Sequence, residues 1–493
     1  MSDNGYQLIA IFLYMIAMLA IGWYAYRRTT NLTDYMLGGR SLGPTVTALS
    51  AGAADMSGWL LMGLPGAIYA SGLVEGWIAI GLTVGAYTNW RIVAPRLRAY
   101  TQVSGDAITI PSFLDSRLKD STQLLRIVSG VIILVFFTFY VSSGMVSGGV
   151  FFESSFGYSY HTGLWVVAGV VVAYTLFGGF LAVSYTDFIQ GLTMFLALIA
   201  VPAVGLYYTG GIGQTIDTIK EVDPKMLSLI AGATATGVIS NLAWGLGYFG
   251  QPHIIVRFMA ISSVEETKQA RRIGIGWMFL SLFGAIATAL VGVAYFKQNN
   301  LTLKDPETVF ISLGQIFFHP FVAGVMLAAI LAAVMSTISS QLIVTSSALV
   351  EDIYKKVFNK NASDKHYVLM GRLAVLVVSI IAFYLSWEQN ATILKLVSFA
   401  WAGFGAAFGP IILLSLYWRK LTNIGALCSM IVGAAVAYIW GSIESLSSML
   451  YEIVPGFFLA FIVAIVVSLM TYKRNDEIEQ EFDDAMKMLK KEQ

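Results

Sequence analysis

Apolar runs of about twenty residues recur from one end of the chain to the other, and nothing else in the sequence constrains the fold as strongly. Each run is long enough to span ~30 Å of hydrocarbon as a helix. In lipid every backbone N–H and C=O must be paired internally, so only helices and closed barrels cross. Runs of this length exclude a barrel, whose strands are about half as long and alternate in polarity. Composition agrees: 57% of the 493 residues are hydrophobic and 12% are charged, against roughly 25% charged in soluble domains. The net charge of +1 points to no nucleic-acid or polyanion partner. The single cysteine, Cys428, excludes a disulfide framework and a cysteine-based metal site.

The reading is an all-α polytopic membrane protein with about thirteen spans. They are expected near 6–26, 43–70, 74–95, 127–150, 162–180, 187–208, 229–253, 273–296, 318–348, 369–387, 393–417, 424–441 and 452–472. The first run is too long for a signal-peptide core and lacks a small-residue cleavage site, so it is read as a retained span. Residues 1–472 form one transmembrane domain, and 473–493 form a charged tail expected as a solvated helix. With the N-terminus outside and the C-terminus in the cytoplasm, only Lys220, Lys225, Lys297, Lys304 and Lys395 of the 30 basic residues fall outside. That bias satisfies the positive-inside rule and favours an odd span count. Arg257 is assigned to an inner loop on this count.

Two spans make poor continuous helices. SAGAADMSGWLLMGLPGAIYA (50–70) carries Asp55 between Gly52 and Gly58. SNLAWGLGYFGQPHIIVRF (240–258) carries Gly245, Gly247, Gly250 and Pro252. Gly costs up to about 1 kcal/mol and Pro about 3 relative to Ala in a helix interior. Small residues in membrane helices also serve close packing. Yet the two interrupted spans lie five apart, and transporters with inverted repeats place a broken helix at corresponding positions of each half. The layout predicts a five-plus-five core, about 43–208 and 229–417. No residue-level similarity links the halves, so the layout alone carries the repeat.

A broken helix frees backbone carbonyls for a hard cation, and the exposed N-terminus of a half-helix favours a carboxylate. Asp55 is open to three roles: facing the cation, bonding freed N–H groups, or holding the break open. In ILAAVMSTISSQLIVTSS (330–347), Ser336, Thr337, Ser339 and Ser340 crowd two turns of an apolar helix. Such hydroxyls bond back to their own helix or, together, form an oxygen cage suited to a hard cation. Trp244 and Tyr248 stand one turn apart at the second break. With Tyr140 they either pack the bundle or wall a pocket for a small, partly apolar solute.

LGGRSLGP (37–44), TALSAGAADMSGWLLMGLPGA (47–67), GWIAIGLT (76–83), WGLGYFGQPHI (244–254), ILAAVMSTIS (330–339) and FAWAGFGAAFGP (399–410) resemble the sodium/solute symporter family, in order and over nearly the whole chain. The resemblance implies thirteen helices, an inverted repeat of the leucine-transporter type with discontinuous helices, and no enzymatic activity. It implies sodium as the coupling ion and alternating-access uptake of a small solute across a bacterial cytoplasmic membrane. L-proline is the expected solute, with another amino acid or a betaine as the alternative. Sodium would meet the carbonyls of Ala53, Met56 and Ala333 and the hydroxyls of Ser336 and Thr337. The solute would lie near Asp55, Ser57, Gly58, Tyr140, Trp244, Tyr248 and Pro252. Asp187, at the expected start of the sixth span, reads either as a helix cap or, by the resemblance, as part of a second sodium site with Ser336, Ser339 and Ser340.

Overall fold

The computed structural model describes residues 2–492, and among them nine helices are long and apolar enough to cross a membrane. These described residues contain no β-strand, only an isolated bridge between Leu42 and Ile261. The spans expected near 162–180 and 187–208 are two helical segments of Tyr160–Tyr208, divided where Gly179 adopts φ 60, ψ −149. Only glycine takes that conformation without strain. The expected spans near 43–70 and 229–253 are interrupted, and the one near 74–95 passes through a π turn at Asn89–Val93.

The first interruption has a local cause. Pro44 opens the helix Pro44–Asp55, where a missing N–H is harmless. The helix ends because Met56 turns to φ −81, ψ 80. Ser57 N then donates to Asp55 O at 3.0 Å, and Leu60 N to Ser57 O at 3.1 Å. A continuous helix would have paired these N–H groups with Ala53 O and Met56 O, so both carbonyls are released. The chain resumes through a π turn at Trp59–Gly63 into Leu64–Ser71.

The second interruption is longer. Thr234 caps Ala235–Leu242, which tightens into a 3₁₀ stretch over Ala243–Gly250. Gln251 is extended, and Pro252 opens the next helix, Pro252–Ala260. The glycines here serve packing as well as the break. A Cβ on Gly247 would stand 1.9 Å from Trp401 Nε1, so only glycine admits the 393–417 helix this closely.

Pro320–Ser347 forms the centre of the bundle, packed against Asp3–Tyr26, Pro44–Asp55, Leu124–Phe156 and Tyr160–Tyr208. Around it, Asp3–Tyr26, Asp364–Leu385, Asn423–Ser442 and Ile453–Thr471 bury only 33% of their apolar windows, leaving the rest for lipid. The tail forms a helix, Asp476–Glu492, but it is docked rather than free. Phe482, Ala485 and Leu489 are buried against the helix Ala94–Val103 and its neighbours. Lys119 pairs with Glu477 and Glu481, and Arg419 with Glu479 and Asp483.

Candidate functional site

The two interruptions meet in the middle of the bundle. Tyr248, on the 3₁₀ stretch of the second, donates its hydroxyl to Asp55 Oδ2 at the end of the first half-helix. Asp55 is 3% exposed, and its Oδ1 accepts no hydrogen bond from a described residue. Tyr140, on Leu124–Phe156, lies beside Ser57 and Asp55. A Cβ on Gly58 would touch Ser147 on that same helix at 2.6 Å, so the broken backbone and Tyr140's helix are in close contact.

Other buried polar atoms converge here without protein partners. They include Tyr140 Oη, both ring nitrogens of His253, Gln251 Oε1 and Asn89 Oδ1. The remaining polar atoms of two of these residues hold the second break in place. Asn89 Nδ2 donates to Tyr248 O at 3.1 Å, and Gln251 Nε2 to Trp401 O at 2.9 Å. A buried donor or acceptor left unpaired costs about 1–3 kcal/mol. They lie on the second break or on residues packed against it, where a polar solute or water could pair with them.

Beside it lies a cluster of oxygens. Ser336 Oγ is 2.7 Å from Ala53 O and 3.1 Å from Ala333 O. Thr337 Oγ1 is 3.5 Å from Ala53 O and 3.2 Å from Ala333 O. Met56, three residues after Ala53, carries the other carbonyl released by the break and is fully buried. Neutral oxygens gathered without sulfur or imidazole suit a hard monovalent cation.

A cavity of about 830 Å³ opens on the face opposite the tail and ends at Trp244, with Ser142, Lys395, Tyr451 and Glu452 among its walls. Trp244 stands 6.3 Å from both Trp59 and Trp401 and 5.4 Å from Tyr451, ring centre to ring centre. Trp244 and Tyr451 belong both to the cavity wall and to this aromatic layer. Trp401 Nε1 donates to Trp244 O at 2.8 Å, tying the layer to the second break.

The structure therefore brings together Ala53, Asp55, Met56, Ser57, Gly58, Tyr140, Trp244, Tyr248, Ala333, Ser336 and Thr337. Pro252 begins the half-helix beneath Tyr248 and is buried. Three sequence expectations are revised. Asp187 sits well inside Tyr160–Tyr208, so it is not a helix cap. Ser339 bonds back to Ser336 O at 3.1 Å rather than reaching Asp187. Arg257 is no loop residue: it is fully buried and ion-paired to Asp187. Asn89, Gln251, His253 and Trp401 carry no sequence signal of their own, because polar or aromatic residues inside spans are common. Arg257 did carry one, as a charge in the apolar run HIIVRFMA opposite a second intramembrane charge.

Residues 35–433 match the sodium:solute symporter family, and the chain belongs to that family. It is a multi-pass membrane transporter, not an enzyme. The chain is 63% identical over 467 residues to the high-affinity proline transporter PutP of Bacillus subtilis strain 168, covering 95% of this chain and 98% of that one. It is 52% identical over 493 residues to sodium/proline symporter 2 of Staphylococcus saprophyticus, covering 98% and 96%. Its fold superimposes on a Na+-coupled sialic acid symporter, in a substrate-bound outward-open state, with a TM-score of 0.82 at 19% identity, over 95% of this chain and 99% of that one. The likeness gives the all-helical architecture with an inverted-repeat core.

Proposed function

We infer that this protein imports L-proline by coupling its entry to sodium. The observation that carries the reading is the meeting of two interrupted helices at one buried polar cluster beside a cage of carbonyl and hydroxyl oxygens. Membership of a sodium-coupled family and high identity to two proline transporters over nearly their whole length support it.

In this reading sodium sits among Ala53 O, Met56 O, Ala333 O, Ser336 Oγ and Thr337 Oγ1. Two of these oxygens belong to the first broken helix and three to Pro320–Ser347. The ion thus ties a mobile break to the bundle centre and replaces the hydroxyl-to-carbonyl bonds that join them without it. Proline binds next to it, near Asp55, Ser57, Gly58, Tyr140, Trp244, Tyr248 and Pro252. Its carboxylate is stabilised by N–H groups at the start of a half-helix, and its pyrrolidine ring by Tyr248 and Trp244. Asp55 holds Tyr248 in place and keeps one carboxylate oxygen for the solute's protonated amine. Because Met56, Ser57 and Gly58 are consecutive, a sodium ion at Met56 O orders the backbone that proline contacts. That is the physical basis of coupling in this account.

The vestibule above Trp244 is the outer approach. The N-terminus lies outside and the docked tail lies on the cytoplasmic side, as the distribution of basic loop residues supports. Labelled proline uptake in cells, competed by a panel of amino acids and betaines, tests the solute. Unlabelled proline should compete most strongly; uptake indifferent to excess proline would refute the assignment.

A further inference from the structure

The tail helix Asp476–Glu492 has no part in the mechanism above, yet its two halves are held by different elements of the bundle. Its first half is anchored by charge. Glu477 and Glu481 pair with Lys119, at the end of the helix Ile110–Leu118. Glu479 and Asp483 pair with Arg419, just past Ile393–Tyr417. Phe482 lies among them, its ring 6.0 Å from that of Tyr100 and 4.4 Å from the Arg419 guanidinium carbon. The second half is held elsewhere. Leu489 is buried with Ala99 and Val264, and Glu492 Oε2 accepts from Val264 N at 3.3 Å.

That second contact falls where the two broken helices meet on the tail side. Val264 lies shortly past the half-helix Pro252–Ala260, and Leu42 lies just ahead of Pro44, which opens the first half-helix. Leu42 N donates to Ala260 O at 3.3 Å, and Ser262 N donates to Leu42 O at 3.0 Å. Arg98, on the helix Ala94–Val103 that the tail covers, adds bonds from Nε to Ile261 O at 2.6 Å and from Nη2 to Ser262 O at 3.1 Å. The tail-side ends of both half-helices are thereby closed against each other. The cavity beside Pro252 and Val256 is correspondingly small, about 10 Å³ against about 830 Å³ on the opposite face. A path to the tail side opens only when Leu42 parts from Ala260 and Ser262. Motion of Ala99 and Val264 away from Lys119 and Arg419 then strips Leu489 or Phe482 from its buried place, so their burial favours the closed arrangement.

We propose that the tail helix is a strap across the tail-side gate: its docking on Ala99 and Val264 stabilises the closed state and releases before solute leaves on that side. The proposal rests on the transport reading above. Its consequence is that a segment touching neither sodium nor solute sets how readily the gate opens.

The test starts from Cys428→Ser, which removes the single native cysteine, and adds Val256→Cys in the small cavity. Maleimide labelling of Val256→Cys in inside-out vesicles, with sodium present, is compared between the full chain and a chain ending at Asn475. The labelling rate should rise severalfold without the tail; an unchanged rate in folded, truncated protein overturns the proposal. If the truncated chain cannot be recovered folded, the full chain decides. Ser263→Cys with Glu492→Cys, in the Cys428→Ser background, is bridged by a short bis-methanethiosulfonate, which fixes the tail at the gate. Bridging should abolish labelled proline uptake while sodium-dependent proline binding persists, and reductant should restore uptake. Uptake that continues once the tail is bridged, or is lost equally with the monofunctional reagent, overturns the proposal. Labelling of Val256→Cys requires no solute, so a wild type that fails to carry proline would refute the functional reading without altering the labelling result.

Discussion

Tyr248 donates its hydroxyl to one carboxylate oxygen of Asp55 across the gap between the two broken helices, and the other oxygen has no partner among the described residues. The contact joins the two halves of the core at the point where both lose helical geometry. Tyr248→Phe keeps the ring and removes only the donor. An unpaired buried acceptor costs about 1–3 kcal/mol, so the apparent KM for proline should rise about tenfold or more. Uptake kinetics at saturating sodium measure it, and an unchanged KM would remove Tyr248 and Asp55 from the solute site.

The oxygen cage makes a separate prediction about the ion. Ser336→Ala and Thr337→Ala each delete one oxygen that lies within 3.5 Å of Ala53 O. Loss of one interaction with a charged partner costs about 1.5–3 kcal/mol. The sodium concentration for half-maximal uptake should therefore rise about tenfold or more, while KM for proline recovers at high sodium. Sodium titrations of uptake check both halves of this expectation.

Gly247 tests the packing that places the second break. An added methyl would meet Trp401 Nε1 at 1.9 Å, beneath the bond from Trp401 to Trp244 O. Overpacking of this kind costs about 1–3 kcal/mol, so Gly247→Ala should lower the Tm of the purified protein and sharply reduce uptake. Gly213 serves as the control: nothing lies within 4 Å of its Cβ position in the helix Ile212–Val222. Gly213→Ala should leave uptake unchanged.

The tail helix is held by a buried apolar face and by the ion pairs of Lys119 and Arg419. Lys119→Ala with Arg419→Ala should speed amide exchange across Asp476–Glu492 without changing it in Pro320–Ser347. The Arg419 hydrogen bond holds the Asp483 carboxyl below its usual range. For a carboxyl lowered in the folded state, the stabilisation is present at neutral pH and fades as pH falls through its folded value. The protection factors of the tail amides, taken relative to intrinsic exchange at each pH, should therefore fall on strong acidification, and fall less in Arg419→Ala.

Much of the site is legible in sequence because its signals are local. An acid beside two glycines, a Gly-Pro-rich span five helices later and four hydroxyls in two turns each violate what a lipid-facing helix tolerates. The carbonyl cage follows from where the backbone must break, and Ser57 N and Leu60 N choose partners that free Ala53 O and Met56 O. What sequence hides is pairing between distant elements. Arg257 and Asp187 are 70 positions apart on different helices. A single arginine near a predicted span end counts equally well as an inner-loop charge. The orphaned faces of Asn89, Gln251 and His253 are likewise properties of the assembled bundle. Trp401 is similar, since its role as the wall that Gly247 must clear exists only once both helices are packed. The boundary between the two expected spans inside Tyr160–Tyr208 falls at Gly179, whose backbone angle no hydropathy pattern records.

The central claim is that sodium entering the Ala53–Met56–Ala333–Ser336–Thr337 cage drives proline uptake. The most direct measurement is labelled proline accumulation in proteoliposomes of the purified protein, with an inward sodium gradient imposed and then collapsed. The account predicts accumulation above the external concentration only while the gradient lasts, accompanied by sodium entry. Accumulation that ignores sodium, or sodium entry that ignores proline, would contradict it.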